Sequence, residues 1–325
     1  MSRKPKNPQR RKLIWLSIVL AILLGPLMVP VSTSGTVSNV EAAGKDATFF
    51  KSLGIDIHYV QTPVRASCLI EGKTIILIHG FGASTFSWKP IQQSFSPCDT
   101  VIAYDRPAFG FTERPLSWKG LNPYSMAAQM QILDDLVSKF ANGRKVVLIG
   151  HSAGGQVAAQ YALDNASKVS NLILESPAIL NGTPGAGMAW LTYVPQINHL
   201  GPALVASIAT TGDALLESSF HDKSKLTGET YDGYHAPLKI KNWEFAFWEF
   251  SRADKTNDVA SRLTEFEMPV LLITGDDDTV VETALTEKLA TKMPKAKLVV
   301  VPSAGHLLHE EKPTVFVDAV RTEIG

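Results

Sequence analysis

Residues 145–155, Lys-Val-Val-Leu-Ile-Gly-His-Ser-Ala-Gly-Gly, combine a short apolar run with a serine between glycines. The run over 145–149 is typical of a strand that is buried on both faces. The Gly-x-Ser-x-Gly pattern after it predicts a tight strand-to-helix turn, because side chains in place of the glycines would collide with neighbouring backbone. Such a turn lifts Ser152 to the N-terminus of a helix, where developing negative charge is stabilised. Ser152 is therefore a candidate nucleophile.

Short apolar runs alternate with longer helical patterns on both sides of this segment. A helix is predicted over 125–140, where apolar residues recur every three or four positions. Further strands are predicted over 55–60, 74–78, 100–104, 169–174, 270–274 and 297–301. This alternation predicts an α/β fold, with a mostly parallel sheet and helices on both of its faces. Residues 175–269 lack a strand pattern, and we predict an inserted helical cap over about 180–262.

Two loops late in the chain supply a base and an acid for Ser152. A serine hydroxyl needs a positioned base to become nucleophilic at neutral pH. His306 follows the last predicted strand, and three aspartates at 276–278 follow the strand before it. Loops after parallel strands open at the carboxyl edge of the sheet, where Ser152 also lies. His306 is the expected base, and His309 is the alternative.

A second glycine-rich turn follows the strand predicted over 74–78. Residues 79–82 read His-Gly-Phe-Gly, and the glycines let the backbone approach a substrate oxygen closely. The backbone N–H groups of Phe81 and Ala153 are expected to form an oxyanion hole. His79 is expected to hold this loop through hydrogen bonds, with a role as a second base as the alternative.

Aromatic residues are concentrated in the predicted cap, over 243–250. Trp243 and Phe247 are candidates for the lining of a substrate pocket, and packing within the cap is the alternative interpretation. The shape of a pocket depends on how the cap folds over the site, which no motif encodes.

The first fifty residues have a composition unlike that of the remaining chain. Residues 1–12 hold six Lys or Arg and no acidic residue, and residues 13–31 carry no charge. This asymmetry predicts a cytoplasmic N-terminus and a translocated body. Residues 13–31 are interpreted as a transmembrane signal-anchor or a cleaved signal peptide, and residues 32–49 as a flexible linker. We expect a membrane-anchored protein with an extracytoplasmic domain, or a secreted one.

The composition of the whole chain excludes several classes of protein. Hydrophobic residues make up 45% and charged residues 19%, a globular balance rather than a disordered one. Because the net charge is +0 and the first twelve residues are basic, the body is mildly acidic and has no broad attraction for nucleic acid. No phosphate loop, dinucleotide fingerprint or metal-ligand spacing occurs, so no cofactor or metal is expected.

Five motifs in order give the chain a resemblance to the α/β-hydrolase family over about 50–325. They are HGFG at 79–82, YDRPAFGFTERP at 104–115, GHSAGG at 150–155, GDDD at 275–278 and GHLLHEEKP at 305–313. The resemblance implies an eight-stranded sheet with a cap and a triad of Ser152, Asp278 and His306. Asp276 and Asp277 remain alternatives for the acid. Some relatives instead take the acid from the end of the preceding strand, here Glu175.

The serine narrows the activity that the resemblance implies. Relatives with Asp at this position are epoxide hydrolases and haloalkane dehalogenases, so Ser152 argues against alkyl-enzyme chemistry. A serine with an oxyanion hole fits hydrolysis of a small-molecule acyl ester or a related apolar substrate through an acyl-enzyme. The alternatives are a carbon–carbon bond hydrolase, a cofactor-free haloperoxidase and a hydrolase-like ligand receptor.

The resemblance also implies that the two cysteines, Cys68 and Cys98, lie close together. In this family the second strand is usually antiparallel and lies beside the fourth. If Cys68 follows the second strand and 100–104 is the fourth, Cys98 lies near Cys68. An oxidising compartment would then join them in a disulfide, and two small buried residues are the alternative.

Overall fold

The centre of the fold is a twisted sheet. The computed structural model describes residues 8–31, 34–68, 72–95, 97–181, 186–206 and 208–325, and these contain eight strands. They are β1 (Thr48–Ser52), β2 (Ile55–Gln61), β3 (Thr74–Ile78), β4 (Thr100–Tyr104), β5 (Val146–His151), β6 (Val169–Glu175), β7 (Val270–Gly275) and β8 (Ala296–Val301). Their order is β1-β2-β4-β3-β5-β6-β7-β8. Strand β2 is antiparallel to both neighbours, and the other pairings are parallel. The predicted α/β class and eight-stranded sheet are confirmed.

Helices cover both faces of the sheet and form the cap. The α-helices among the described residues are α1 (Pro8–Leu24), α2 (Asn39–Ala43), α3 (Lys89–Gln92), α4 (Met126–Phe140), α5 (Ala153–Asp164), α6 (Pro195–Val205), α7 (Ile208–Ser218), α8 (Gly228–His235), α9 (Trp243–Arg252), α10 (Thr283–Lys292), α11 (Leu308–Glu311) and α12 (Pro313–Ile324). Ile76 and Ile78 of β3 pack on the face covered by α4, α5 and α10. Ile75 and Leu77 pack on the face covered by α3, α11 and α12. Burial on both faces explains the unbroken apolar sequence of this strand.

The chain between β6 and β7 forms a helical insertion over Ser152. Helices α6, α7, α8 and α9 lie in it, and its described residues contain no strand. Helix α9 packs Phe247 and Phe250 against Phe109 and Tyr124, which precede α4. The insertion corresponds to the predicted cap, although residues 182–185 lie outside the described part of the chain.

The N-terminal helix α1 is shorter than the span predicted over 13–31. It ends at Leu24 and is followed by a 3-10 turn, Pro26–Met28, because proline has no N–H with which to continue the helix. Of the helices in the described ranges, none combines the length and the apolar character needed to cross a membrane. Residues 1–7 of the predicted basic segment lie outside those ranges.

The segment predicted as a flexible linker over 32–49 is instead attached to the cap from Ser34 onward. The Ser34 N–H and hydroxyl both donate to the Glu244 carboxylate, at 2.5 and 2.6 Å. Val37 pairs with Ile240 in a single β-bridge. Helix α2 lies within the predicted linker, and strand β1 begins at Thr48, before the linker's predicted end; residues 32 and 33 of the linker are not described. Composition alone does not predict this attachment, because Glu244 lies 210 residues after Ser34 in the sequence.

The antiparallel pair β2–β4 brings the two cysteines together. Gln61 pairs with Ile102, so the loop after β2 runs beside the residues that precede β4. The Arg65 N–H donates to the carbonyl of Pro97 at 3.0 Å. Cys68 and Cys98 are joined by a disulfide, with their Cα atoms 5.6 Å apart. This is the pairing that the resemblance implies.

Candidate active site

Ser152 lies in the turn between β5 and α5, with a backbone conformation that few residues other than glycine adopt. Its φ is 52°. The flanking glycines make room for this turn. A Cβ on Gly154 would lie 2.2 Å from the carbonyl oxygen of Ile78, and a Cβ on Gly150 would lie 2.7 Å from the carbonyl oxygen of Gly154. The Gly-x-Ser-x-Gly motif therefore has the strand–turn–helix geometry that its sequence predicts.

His306 and Asp278 form a buried pair at the carboxyl edge of the sheet. The His306 Nδ1 and an Asp278 carboxylate oxygen are 2.8 Å apart. The other Asp278 oxygen accepts the backbone N–H groups of Val280 and Val281 at 3.0 and 2.9 Å. With its carboxylate held from both sides, Asp278 fixes the His306 ring with Nδ1 protonated, which leaves Nε2 to accept a proton.

The alternative acids bind other partners. Asp277 pairs with His221 of the cap at 2.8 Å. Asp276 accepts the Ala304 N–H at 3.4 Å. Among the described carboxylates, Asp278 alone is hydrogen-bonded to His306.

Glu175 and His309, the alternative acid and base, pair with each other in the interior. His309 Nδ1 lies 2.8 Å from a Glu175 oxygen, and both side chains are fully buried. Burial would lower the pKa of His309, but the Glu175 carboxylate outweighs it and raises that pKa. The other ring nitrogen, Nε2, lies 2.8 Å from the Ser87 hydroxyl. This pair is thus tied into the core, and none of the described side-chain hydrogen bonds joins it to Ser152, whose N–H donates to the Glu175 backbone carbonyl at 2.9 Å.

The turn at residues 79–82 has the form of an oxyanion loop. Within the described part of the chain, the backbone N–H groups of Phe81 and Ala153 have no hydrogen-bond acceptor. His79 holds the loop: its Nδ1–H donates to the Gly80 carbonyl at 2.8 Å, and its Nε2 accepts the Arg106 N–H at 3.0 Å. Burial, and then the Arg106 charge, lower the pKa of His79 to about 4, so its ring is neutral at pH 7. Two amide donors therefore remain for a substrate oxygen.

His151 contributes a contact that its motif does not indicate. A packing role with the side chain directed away from Ser152 is the expectation for this residue. Beyond packing, His151 Nε2–H donates to the His306 carbonyl at 3.1 Å, and the two rings lie 4.6 Å apart. Burial and the neighbouring histidines lower the pKa of His151 well below its ordinary value. A neutral His151 thus supports the backbone of His306.

A mostly apolar cavity of about 170 Å³ opens beside Ser152 and His306. Phe247 lines it, together with other cap residues. Trp243 does not line it; its side chain is buried elsewhere, and its indole N–H donates to the Ser34 hydroxyl at 2.9 Å. The apolar lining comes mainly from Phe81, Leu215, Leu216, Leu238, Phe247 and Val280.

Comparison with known proteins places this geometry in a family. A profile of the alpha/beta hydrolase fold matches residues 73–313. The uncharacterized hydrolase YugF of Bacillus subtilis is 26% identical over 271 residues, which cover 82% of this chain and 93% of the relative. A 2-hydroxy-6-oxononadienedioate/2-hydroxy-6-oxononatrienedioate hydrolase of Comamonas testosteroni is 26% identical over 260 residues, covering 76% and 85%.

A solved structure shows the same fold along the length of the chain. The Cif epoxide hydrolase of Acinetobacter nosocomialis superposes with a TM-score of 0.69 at 18% identity, covering 100% of this chain and 99% of the other. At that identity the likeness concerns the fold alone. The family profile spans well over half of the sequence. The chain therefore belongs to the alpha/beta hydrolase family.

Proposed function

We propose that this protein is a serine hydrolase that cleaves small acyl esters through an acyl-enzyme. Ser152 is the nucleophile, His306 the general base and acid, and Asp278 the residue that orients His306. The observation that carries the proposal is the 2.8 Å His306–Asp278 pair beside Ser152, which lies in the strand-to-helix turn with a φ of 52°. The buried setting of this pair strengthens its electrostatic effect on Ser152.

The proposed reaction proceeds in two steps, acylation of Ser152 and hydrolysis of the acyl-enzyme. His306 Nε2 takes the Ser152 proton as Oγ attacks the ester carbonyl carbon, and the N–H groups of Phe81 and Ala153 stabilise the resulting oxyanion. The tetrahedral intermediate collapses, and His306 gives the proton to the departing alcohol. In the second step, His306 takes a proton from water as the water oxygen attacks the acyl carbon, and it gives that proton to Ser152 Oγ as the bond between Oγ and the acyl carbon breaks, which releases the carboxylic acid.

The size of the cavity favours a substrate with a short acyl group. Its volume of about 170 Å³ is below the ~300–1,000 Å³ of pockets that hold drug-sized ligands. Its apolar wall favours an alkyl chain over a charged one. Among p-nitrophenyl esters, we expect the acetyl and butyryl compounds to give a higher kcat/KM than the octanoyl ester. A clear preference for octanoyl would contradict this interpretation of the cavity.

Labelling with a fluorophosphonate probe tests the nucleophile. The wild-type protein should be labelled at Ser152, and Ser152→Ala should fold normally but take up no label. Ser303→Ala is the matched control, because Ser303 also has a positive φ but is exposed in the loop before His306. Undiminished labelling of Ser152→Ala would refute the assignment.

A carbon–carbon bond hydrolase is the second candidate. It is supported by the Comamonas relative, which is named as a hydrolase of 2-hydroxy-6-oxononadienedioate and 2-hydroxy-6-oxononatrienedioate. Turnover of a coloured ring-cleavage diketone, with esters left nearly untouched, would favour this reaction. Slow single turnover with tight product retention would instead favour a ligand receptor, and peroxide-dependent halogenation would favour a haloperoxidase.

A further inference from the structure

Glu311 is a buried carboxylate in α11 that binds two distant parts of the chain. Only 1% of the residue is exposed. Its Oε2 accepts the N–H of Gly305 at 2.8 Å, in the loop that carries His306. The same oxygen accepts the N–H of His221 at 3.2 Å, and Oε1 accepts the N–H of Asp222 at 2.7 Å. His221 and Asp222 belong to the cap, so this carboxylate joins the cap to the histidine loop.

The cap segment 218–222 packs directly on that loop. A Cβ on Gly305 would lie 2.5 Å from the carbonyl oxygen of Ser219, so side chains are excluded at this crossing. The Leu307 N–H donates to the same Ser219 carbonyl at 3.1 Å. Both peptide neighbours of His306 are therefore held, one by Glu311 and the other by the cap.

The same cap segment also contacts the loop of the proposed acid. His221 Nδ1 lies 2.8 Å from the Asp277 carboxylate, and the Thr279 hydroxyl donates to the Ser218 carbonyl at 3.1 Å. These contacts flank Asp278 on both sides in the chain. One short piece of cap is thus docked on the loops of both residues that would activate Ser152.

From these contacts we propose that Glu311 is a positioning residue, which couples docking of cap segment 218–222 to the placement of His306. The inference rests on the proposed serine hydrolase function. Glu311 accepts three backbone N–H groups with two carboxylate oxygens, whereas the amide of glutamine has one acceptor oxygen and would face some of these N–H groups with its own donors. Loss of these bonds lets the loop move, and a displacement of about 1 Å can cost ~10²-fold in rate.

The test measures rate and active fraction separately in the full-length protein. The endpoint of fluorophosphonate labelling counts folded sites, and the rate constant of labelling reports how well His306 activates Ser152. For Glu311→Gln we expect a normal endpoint, a rate constant lowered at least about tenfold, and a similar fall in kcat for p-nitrophenyl butyrate with little change in KM. A purely structural role would lower the endpoint or the melting temperature but leave the rate constant of the labelled sites unchanged, and that result would overturn the proposal.

Two further variants keep the test decisive. Glu229→Gln is the matched control, because it removes an exposed ion pair between cap and core, with Lys89, and should label at the wild-type rate. His221→Ala removes the exposed contact to Asp277 and should slow labelling in the same direction as Glu311→Gln, by a smaller factor of about three. If Glu311→Gln does not fold, an unchanged rate for His221→Ala would refute the proposal. Failure of the wild type to label would refute the serine hydrolase function instead.

Discussion

At the level of single residues, the two carboxylate oxygens of Asp278 have different roles. One oxygen pairs with His306 and the other accepts two backbone N–H groups. Asp278→Asn keeps the shape but presents a donor to the ring and so favours the wrong tautomer. We expect kcat for a p-nitrophenyl ester to fall on the order of 10⁴-fold. Asp276→Asn is the control and should remain near wild type; the reverse outcome would make Asp276 the acid.

A second prediction at this scale concerns acid stability and His79. Its pKa is lowered to about 4, so between pH 6.5 and 4 the unfolded chain binds a proton that the folded protein excludes. Stability therefore falls as the pH falls through this window, and His79 alone accounts for about 2 kcal/mol between pH 7 and pH 5. Urea unfolding at both pH values measures the loss.

The comparison that isolates this effect uses His79→Gln. The glutamine amide does not titrate, so this variant should be less stable than wild type at pH 7 but should lose less stability on acidification. Comparing the two proteins removes the contribution of His151, whose lowered pKa acts in the same direction. Equal losses in both proteins would show that His79 is not responsible.

At the scale of elements, the disulfide ties the loop after β2 to the start of β4. It spans a sequence separation of 30, for which the chain-entropy model gives about 3–4 kcal/mol. A Cys68→Ser/Cys98→Ser double variant should lose free energy of unfolding by that order. Labelling of Ser152 should be unchanged, because Cys98 precedes β4 and so lies at the opposite edge of the sheet from the carboxyl ends. Finding two free thiols per chain, in protein unfolded without reductant, would exclude the bond.

The elements themselves differ in how far the sequence predicts them. Strands such as β3 and β5 are buried on both faces, and this requires unbroken apolar runs that are visible without a structure. Strand β1, Thr48–Ser52, lies at the sheet edge with exposed residues, so its alternation is weak and its start falls within the predicted linker over 32–49. The turn that carries Ser152 can be predicted from the sequence, because its glycines are needed for local steric reasons.

At the scale of the whole molecule, we propose that the hydrolase domain lies outside the cytoplasm. The proposal is supported by the basic N-terminal segment followed by an uncharged stretch and by the paired cysteines. Protease added to intact cells or spheroplasts should digest the domain. Digestion only after lysis would contradict the proposal.

Contacts between distant parts of the chain are where sequence reasoning ends. The proximity of Ser152, Asp278 and His306 can be predicted, because all three lie in loops that follow parallel strands and share one edge of the sheet. Trp243 and Phe247 lie about one helical turn apart in α9, yet Phe247 lines the cavity whereas the Trp243 indole N–H donates to the Ser34 hydroxyl. The contact of His151 with His306 likewise depends on a loop 155 residues away. No local sequence pattern predicts such long-range contacts.

The attachment of Ser34 to α9 sets an upper limit on how much of the N-terminus the protein can lose without losing contacts of the cap. Proteolytic trimming that stops before Ser34 leaves its bonds to Glu244 and Trp243 in place. A cut after Val37 removes these bonds together with the bridge to Ile240, and leaves the buried Glu244 carboxylate without its donors. An unpaired buried charge is costly. The shortest chain that keeps these contacts therefore begins ahead of Ser34, and we expect any maturation of the N-terminus that preserves stability to end upstream of that residue.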